Sequence, residues 1–520
     1  MKFLCGGLVF TALAACQAPV IQADYLIENG QVFAGDNTPA EAFIVAIKDD
    51  KIIYVGAPRK VETAAVIDAQ GHYVLPGFID PHTHSIADLL SADSTRRQNQ
   101  NYQFQGVTTV FNGNDGFGDP DIEAQAAAAL DGGIGTNTAF FVGHGALRKS
   151  VMGGDGRAPT DAELTEMQSR VAQGMTDGAL GLSSGLFYAP GSFSDTEEVI
   201  ELAKVAAAFG GVYDSHIRDE STYNVGLLAS IDEVIEIGTK ANIPVNIAHI
   251  KALGVDVWGE SAAIIQKVEA AQQEGINVTA DQYPWRASGT RISNALIPRW
   301  VKAGTVEDYL ARLSDPEQID VIRAETAENL RKRGGAEAVL VTRGKPEWQN
   351  KTLGAIASER GENPVETALY IARNGDASIA SFNMDAGDIL NFMSQDWVMT
   401  SSDGSTGHPR KYASYPKKYR DYVIAQNVMP VETFFYRSSG MVADTFGLCE
   451  RGYLKPGYKA DIAIISPDDF APAADFQNPA LLSKGVTHLF VNGKPVIENS
   501  KANADLPGDV VRRCRGAVGE

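Results

Sequence analysis

Cysteine is scarce, four in 520 residues, too few for a disulfide framework to carry the fold. Positive charge is in short supply as well. Lys and Arg number 45 against 65 Asp and Glu, a formal net charge of −20, which argues against nucleic acid or anionic lipid as main partner because both call for a basic surface. A small anionic molecule stays compatible, since a few local Arg or Lys residues override the average field inside a pocket. Beyond the first twenty residues no run reaches 18 apolar residues, so no membrane span follows. Internal repeats and low-complexity stretches are missing. With 44% hydrophobic residues, the composition excludes a disordered or collagenous chain and provides for a large core.

The start of the chain is of a different kind. Met1 and Lys2 precede an apolar run from Phe3 to Ala15, closed by Leu13-Ala14-Ala15-Cys16. A run this short is an export signal, residues 1–15, rather than a span. The tetrad resembles a bacterial lipoprotein box, which implies a lipid anchor on Cys16 and a protein facing the periplasm or cell exterior. Ordinary cleavage after Ala15 or Ala18 is the alternative. Once Cys5 leaves with the signal, Cys449 and Cys514 remain, and a bridge between them is open but not required.

Residues 24–76 read as short β-runs broken by turns (YLIENGQVF, FIVAIKDDKIIYVG, AVIDAQGHYVL), the N-terminal part of a small β domain. Residues 446–500 return to that style in ADIAIISP and THLFVNGKPVI, with Asn492-Gly493 as a hairpin signal. The two ends together predict one small β-sandwich. Between them, over 77–445, β-runs alternate with helical stretches such as SDTEEVIELAKVAAAF, whose Ser194-Asp195 is a cap signal. Eight such units predict an α/β fold, a (β/α)8 TIM-type barrel with its chemistry at the C-terminal strand ends. SIASFNM, near 378 to 384, is a ninth β-run, expected to be accessory. Residues 287–349 lack the alternation and read as an insertion of the kind that forms lids.

His82 and His84, spaced i, i+2 at the end of an apolar β-run, point to one face of an extended chain. His216 ends GVYDSH, His249 ends PVNIAH and Asp403 ends VMTSSD. Each falls where a barrel strand would deliver it to one shared mouth. Imidazole and carboxylate suit Zn²⁺, and a catalytic zinc keeps a position open for water. The pattern predicts metal-dependent hydrolysis of an amide, with His82, His84, His216 and His249 as ligands and Asp403 moving protons between water and the leaving nitrogen.

PGFIDPHTH, QGVTTV, GALGLSSGLFYAPG, DSHIRDES, IAHIKALG, DQYP, SSDG with HPRKY, and RGYLKPGYKADIAI run through nearly the whole mature chain. By them the chain resembles the amidohydrolase superfamily, in its N-acyl-D-amino-acid deacylase (D-aminoacylase) branch. The resemblance implies a barrel with a β domain from both chain ends, zinc as one or two ions (or another divalent metal), and an N-acyl-D-amino acid cleaved to a carboxylate and a D-amino acid. The branch places a metal-ligating Cys after Gly-Asn in the second-strand segment, where this chain has Asp115; the carboxylate is expected to ligate in its place. Lys251, Tyr283 and Arg410 are implied to bind the substrate carboxylate, with Arg218 and Arg291 as weaker candidates, one of them for an acidic side chain. His144, in the GHG that the branch also carries, is not expected to ligate. His72 and His488, in the β pieces, are expected to be structural.

Two other hydrolases compete with this reading. One is an exported dipeptidase acting on D-amino-acid-containing peptides. The other is a cyclic-amide hydrolase, a branch that usually has a carboxylated Lys on a barrel strand, where this chain has no Lys suitably placed. A non-catalytic binding lipoprotein is disfavoured, because binding alone needs no poised water.

Overall fold

The computed structural model describes residues 20–514. The export signal and Cys16 therefore lie outside the described residues. Among those described, no helix is long and apolar enough to cross a membrane.

Two sheets form the small β domain. The first orders Lys51–Gly56, Ile44–Lys48, Ile21–Glu28 and Val61–Asp68 side by side. The second joins the chain ends: Tyr73–Pro76 pairs antiparallel with Ile462–Ile465, which continues through Val486–Val491 and Lys494–Glu498. Alternate apolar residues of both sheets, including Ile27, Val45, Ile47, Val74, Ile462 and Phe490, close over one another as the sandwich core. Asn492 and Gly493 turn the hairpin between Val486–Val491 and Lys494–Glu498 with φ of 47° and 74°. Positive φ at both positions matches the strand twist, as an Asn-Gly turn does.

Eight parallel strands make the barrel. In order they are Phe78–Asp80, Val107–Asn112, Asn137–Phe140 continued by Val142–Gly143, Gly181–Gly185, Val212–His216, Val245–Ile247, Val278–Gln282 and Val398–Thr400. Strand eight meets strand one just past their ends, where Asp403 N donates to His82 O at 2.9 Å and Thr83 bridges Gly404. Outward residues such as Val142, Leu182, Tyr213, Val245 and Val278 pack against Val171, Val199, Ile231, Val234 and Ile264 of the surrounding helices. The helix Thr196–Ala208 starts at Asp195, whose carboxylate accepts from Glu198 N.

The insertion is larger than the sequence suggested. Its four-stranded sheet runs in the order Ala287–Arg291, Ser378–Phe382, Val339–Arg343, Lys351–Thr352, so the unit extends from 287 to 382 rather than ending at 349. Ser378–Phe382 is accessory to the barrel, yet it is one of the two inner strands of this sheet, paired on both sides. The helices Ile319–Lys332 and Pro364–Arg373 cover the sheet around a separate core that includes Leu296, Ile322, Val341 and Leu369. The C-terminal part likewise continues past 500: Pro507 and Val510 bridge Ile134 and Thr138 beside strand three, and Cys449 is bonded to Cys514.

Candidate active site

All five sequence-derived donors, and Asp115 with them, meet at one mouth. His82 and His84 follow strand one and His216 is the last residue of strand five. Asp115, His249 and Asp403 stand just beyond strands two, six and eight with φ of 57°, 37° and 46°. Left-handed backbone is unfavourable for residues with a Cβ, and three such positions in one site mark a constellation held by the surrounding fold.

Asp115 is the hub. Its Oδ1 lies 3.4 Å from His82 Nε2, 3.3 Å from His249 Nε2 and 3.5 Å from His216 Nδ1, and its Oδ2 lies 3.5 Å from His84 Nε2. His216 Nδ1 and His249 Nε2 are 2.8 Å apart. Asp403 Oδ1 stands 3.3 Å from His84 Nε2, while its Oδ2 pairs with Arg410 Nη1 at 2.8 Å. The donors form two triads that share one carboxylate: His82, His84 and Asp115, then Asp115, His216 and His249, with each triad's ligand atoms within 4.8 Å of one another.

The electrostatics fit a cation. Burial opposes charge on His84 and His249, yet Asp115 with Asp403 raises the first to about 9, and Asp115 with Glu220 raises the second to about 10 against burial and Lys251. Burial alone would raise the carboxyls of Asp115 and Asp403. The imidazoles, and for Asp403 first of all Arg410, hold both well below the usual carboxylate range. Among the described residues, His82 Nε2 and Asp115 Oδ1 are buried without a hydrogen-bond partner, an unfavourable state that a shared ion would relieve. Mixed imidazole and carboxylate donors suit Zn²⁺, so the residues present fit the metal.

A cavity of about 320 Å³ opens over this cluster, lined on one side by barrel residues and on the other by Ser288, Gly289, Thr290 and Ser378 of the insertion. Lys251, Tyr283 and Arg410 all line it. The Tyr283 ring lies between the two cations, 5.7 Å from Lys251 Nζ and 4.8 Å from the Arg410 guanidinium. Neither cation is free: Lys251 Nζ donates to Glu220 Oε1 at 2.5 Å and approaches His249 Nδ1 at 2.7 Å, and Arg410 holds Asp403. Arg218 turns instead to Glu233 in a bidentate pair. Arg291 sits at the rim against Asp376. His144 binds Glu198 at 2.8 Å beside Arg148, away from the donors.

Several residues that the sequence reading passed over support the donors from behind. Glu220 reaches His249 Nδ1 at 3.3 Å; burial would raise its carboxyl, and Lys251 with the imidazoles holds it well below the usual range. Beneath the cluster, Asn246 Nδ2 donates to Asp214 and Asp281, both at 2.8 Å. Asp281 in turn accepts from His249 N, and Asp214 from Asn114 Nδ2. His408 Nδ1 accepts from Arg410 N at 3.1 Å. The only signal for Glu220, His408, Asp214 and Asp281 was their place inside DSHIRDES, HPRKY and DQYP; Asn246 carried none, because a buried polar position looks like any other polar residue in a strand.

A sequence profile described as "Amidohydrolase family" matches residues 65–497. The chain is 30% identical to the D-aminoacylase of Alcaligenes xylosoxydans xylosoxydans over 94% of its own length and 98% of that protein's. Among solved structures, a D-aminoacylase described by the functional role of its binuclear metal centre superposes with a TM-score of 0.81 at 28% identity, covering 94% of this chain and 100% of that one. An N-acyl-D-glutamate deacylase from Bordetella bronchiseptica, in complex with zinc and a phosphonate mimic of the tetrahedral intermediate, gives the same TM-score at 29% identity and the same coverage.

Proposed function

Since the chain belongs to the amidohydrolase family, we propose that it hydrolyses the amide bond of N-acyl-D-amino acids, releasing a carboxylate and a D-amino acid, with zinc as its metal. The observation that carries this is Asp115 within 3.5 Å of four imidazoles at the mouth of the barrel. His82 and His84 would hold one ion and His216 and His249 a second where two are bound, with Asp115 placed to contribute to either. When bound, zinc supplies Lewis acidity, which polarises an amide carbonyl and makes water acidic near neutral pH.

The chain does the rest. Arg410, Lys251 and Tyr283 take the free carboxylate beside the scissile amide, the guanidinium offering a planar pair of donors. Arg410 also fixes the orientation of Asp403. Asp403, ionised and beside His84, accepts the proton of the attacking water and returns it to the leaving nitrogen. The insertion forms one wall of the cavity and Asp115, His216, His249 and Asp403 are buried at its base, so these charges act in a lower dielectric than bulk water.

The test is turnover by the zinc-reconstituted chain across N-acetyl-D-amino acids, N-acetyl-L-amino acids and dipeptides. Cleavage of the N-acetyl-D series is expected. Turnover confined to L-substrates or to dipeptides would remove the substrate assignment.

Residues 1–15 as an export signal and Cys16 as a lipid anchor belong to the same proposal. The Cys449–Cys514 bridge supports it, because disulfides persist in oxidising compartments. Wild-type chain in the membrane fraction and Cys16→Ser in the soluble one is the expected result.

A further inference from the structure

The active-site cavity has cationic groups that the reaction above leaves unused. Arg333 lines it from the insertion side at 2% exposure. Its Nε donates to Ala295 O at 3.3 Å, while Nη1 is buried with no hydrogen-bond partner among the described residues. Arg299 stands in a recess that shares Phe187, Tyr223 and Asn294 with the cavity. Among the described residues, all three of its guanidinium nitrogens are buried without an acceptor, and so is the Tyr223 hydroxyl. The Arg299 guanidinium lies over the Phe187 ring at 4.1 Å, and that ring also neighbours His216, 5.8 Å between centroids. One aromatic ring therefore separates Arg299 from the metal-binding cluster.

Neighbouring arginines show what satisfied ones look like here. Arg218 has Glu233 and Arg291 has Asp376. The carboxylate nearest to Arg299 in charge is Asp219, but its oxygens accept from the N–H groups of Ser221, Asn224 and Gly226. Burial outweighs Asp219 and pulls the Arg299 pKa down to about 10. A buried guanidinium with open donors is strongly unfavourable unless an anion completes it, and such sites persist where binding uses them.

We propose that Arg299 and Arg333 receive the side-chain carboxylate of the substrate, so that the preferred substrates are N-acyl derivatives of acidic D-amino acids, aspartate or glutamate. This rests on the deacylase reading and narrows it. The α-carboxylate stays with Lys251, Tyr283 and Arg410, and the second carboxylate extends past Phe187 to the unpaired guanidiniums. An amide side chain of the same size would present an NH₂ group to a donor and leave a charge uncompensated, the case in which polar sites discriminate most strongly.

The experiment compares kcat/KM of the zinc-loaded wild-type chain for N-acetyl-D-glutamate, N-acetyl-D-aspartate, N-acetyl-D-glutamine and N-acetyl-D-leucine, and needs no variant to fold. An acidic substrate is expected to exceed its neutral counterparts by on the order of a hundredfold. In Arg299→Met and Arg333→Met the acid-to-glutamine ratio should fall by on the order of tenfold or more. Equal or better turnover of glutamine or leucine derivatives overturns this inference while leaving the deacylase reading intact. An unchanged ratio in both variants overturns the role of the two arginines. Turnover of no N-acyl-D-amino acid removes both readings together.

Discussion

At the scale of single residues, Asp115 is the donor on which metal content is expected to depend most. It is the one donor common to both triads, so Asp115→Ala is expected to lose bound zinc and activity together. Metal analysis of the purified variant checks this; full zinc with no activity would show that Asp115 does not ligate. Asp403 differs in kind. It lies outside both triads and is held by Arg410, so Asp403→Asn should keep its zinc and lower kcat by about 10²–10⁴, the usual contribution of a positioned general base. Loss of zinc in that variant would make Asp403 a ligand first and a proton carrier second.

At the scale of elements, strand ends position the donors, and the space between adjacent strand ends leaves no tolerance. Gly185 closes strand four beside Asp115; a Cβ there would stand 2.2 Å from the Asp115 carbonyl oxygen. That atom is backbone and cannot swing away, so the loop carrying the shared carboxylate must move. Gly185→Ala is expected to weaken zinc affinity by about tenfold or more, in the range seen when the support of a ligand is disturbed. Competition with a chelator measures it, and unchanged affinity would mean that the loop relaxes without moving its carboxylate. The left-handed backbone at Asp115, His249 and Asp403 belongs to the same account, because strain at a strand end persists only where surrounding pairs over-determine it.

At the scale of the molecule, metal, protons and stability are linked. In the metal-free chain, His84 and His249 carry pKa values raised to about 9 and about 10, buried carboxylates overcoming the opposing effect of burial. These lie above the ordinary imidazole value of about 6.5. The stability the two groups contribute is therefore complete below about pH 6.5 and is lost as pH rises through about 9 and then 10. Zinc needs the unprotonated rings, so it competes with those protons. The rise in Tm on adding zinc should be larger at about pH 8.5 than at about pH 6; a gain independent of pH would contradict the assignment of these histidines. The Cys449–Cys514 bridge closes a 65-residue separation and ties the C-terminal tail to the start of the closing β piece. Cys514→Ser is expected to cost about 2–4 kcal/mol, read as a lower unfolding midpoint with zinc content unchanged.

The sequence by itself determined the barrel, the sandwich from both chain ends and the line of metal donors. Strand character, residue type and position at the end of an apolar run are local properties, and a parallel barrel brings every strand end to the same face. Tertiary structure alone decided that Asp115 touches all four imidazoles and that Lys251 and Arg410 are already paired. It also decided that Asp214, Asn246 and Asp281 form a polar floor, that Ser378–Phe382 extends the insertion to 382, and that Arg299 and Arg333 stand unpaired while Arg218 and Arg291 do not. Most of these depend on distances between residues tens to hundreds of positions apart. Such distances are set by how strands close and how an insertion folds back over them, and local spacing carries no information about either.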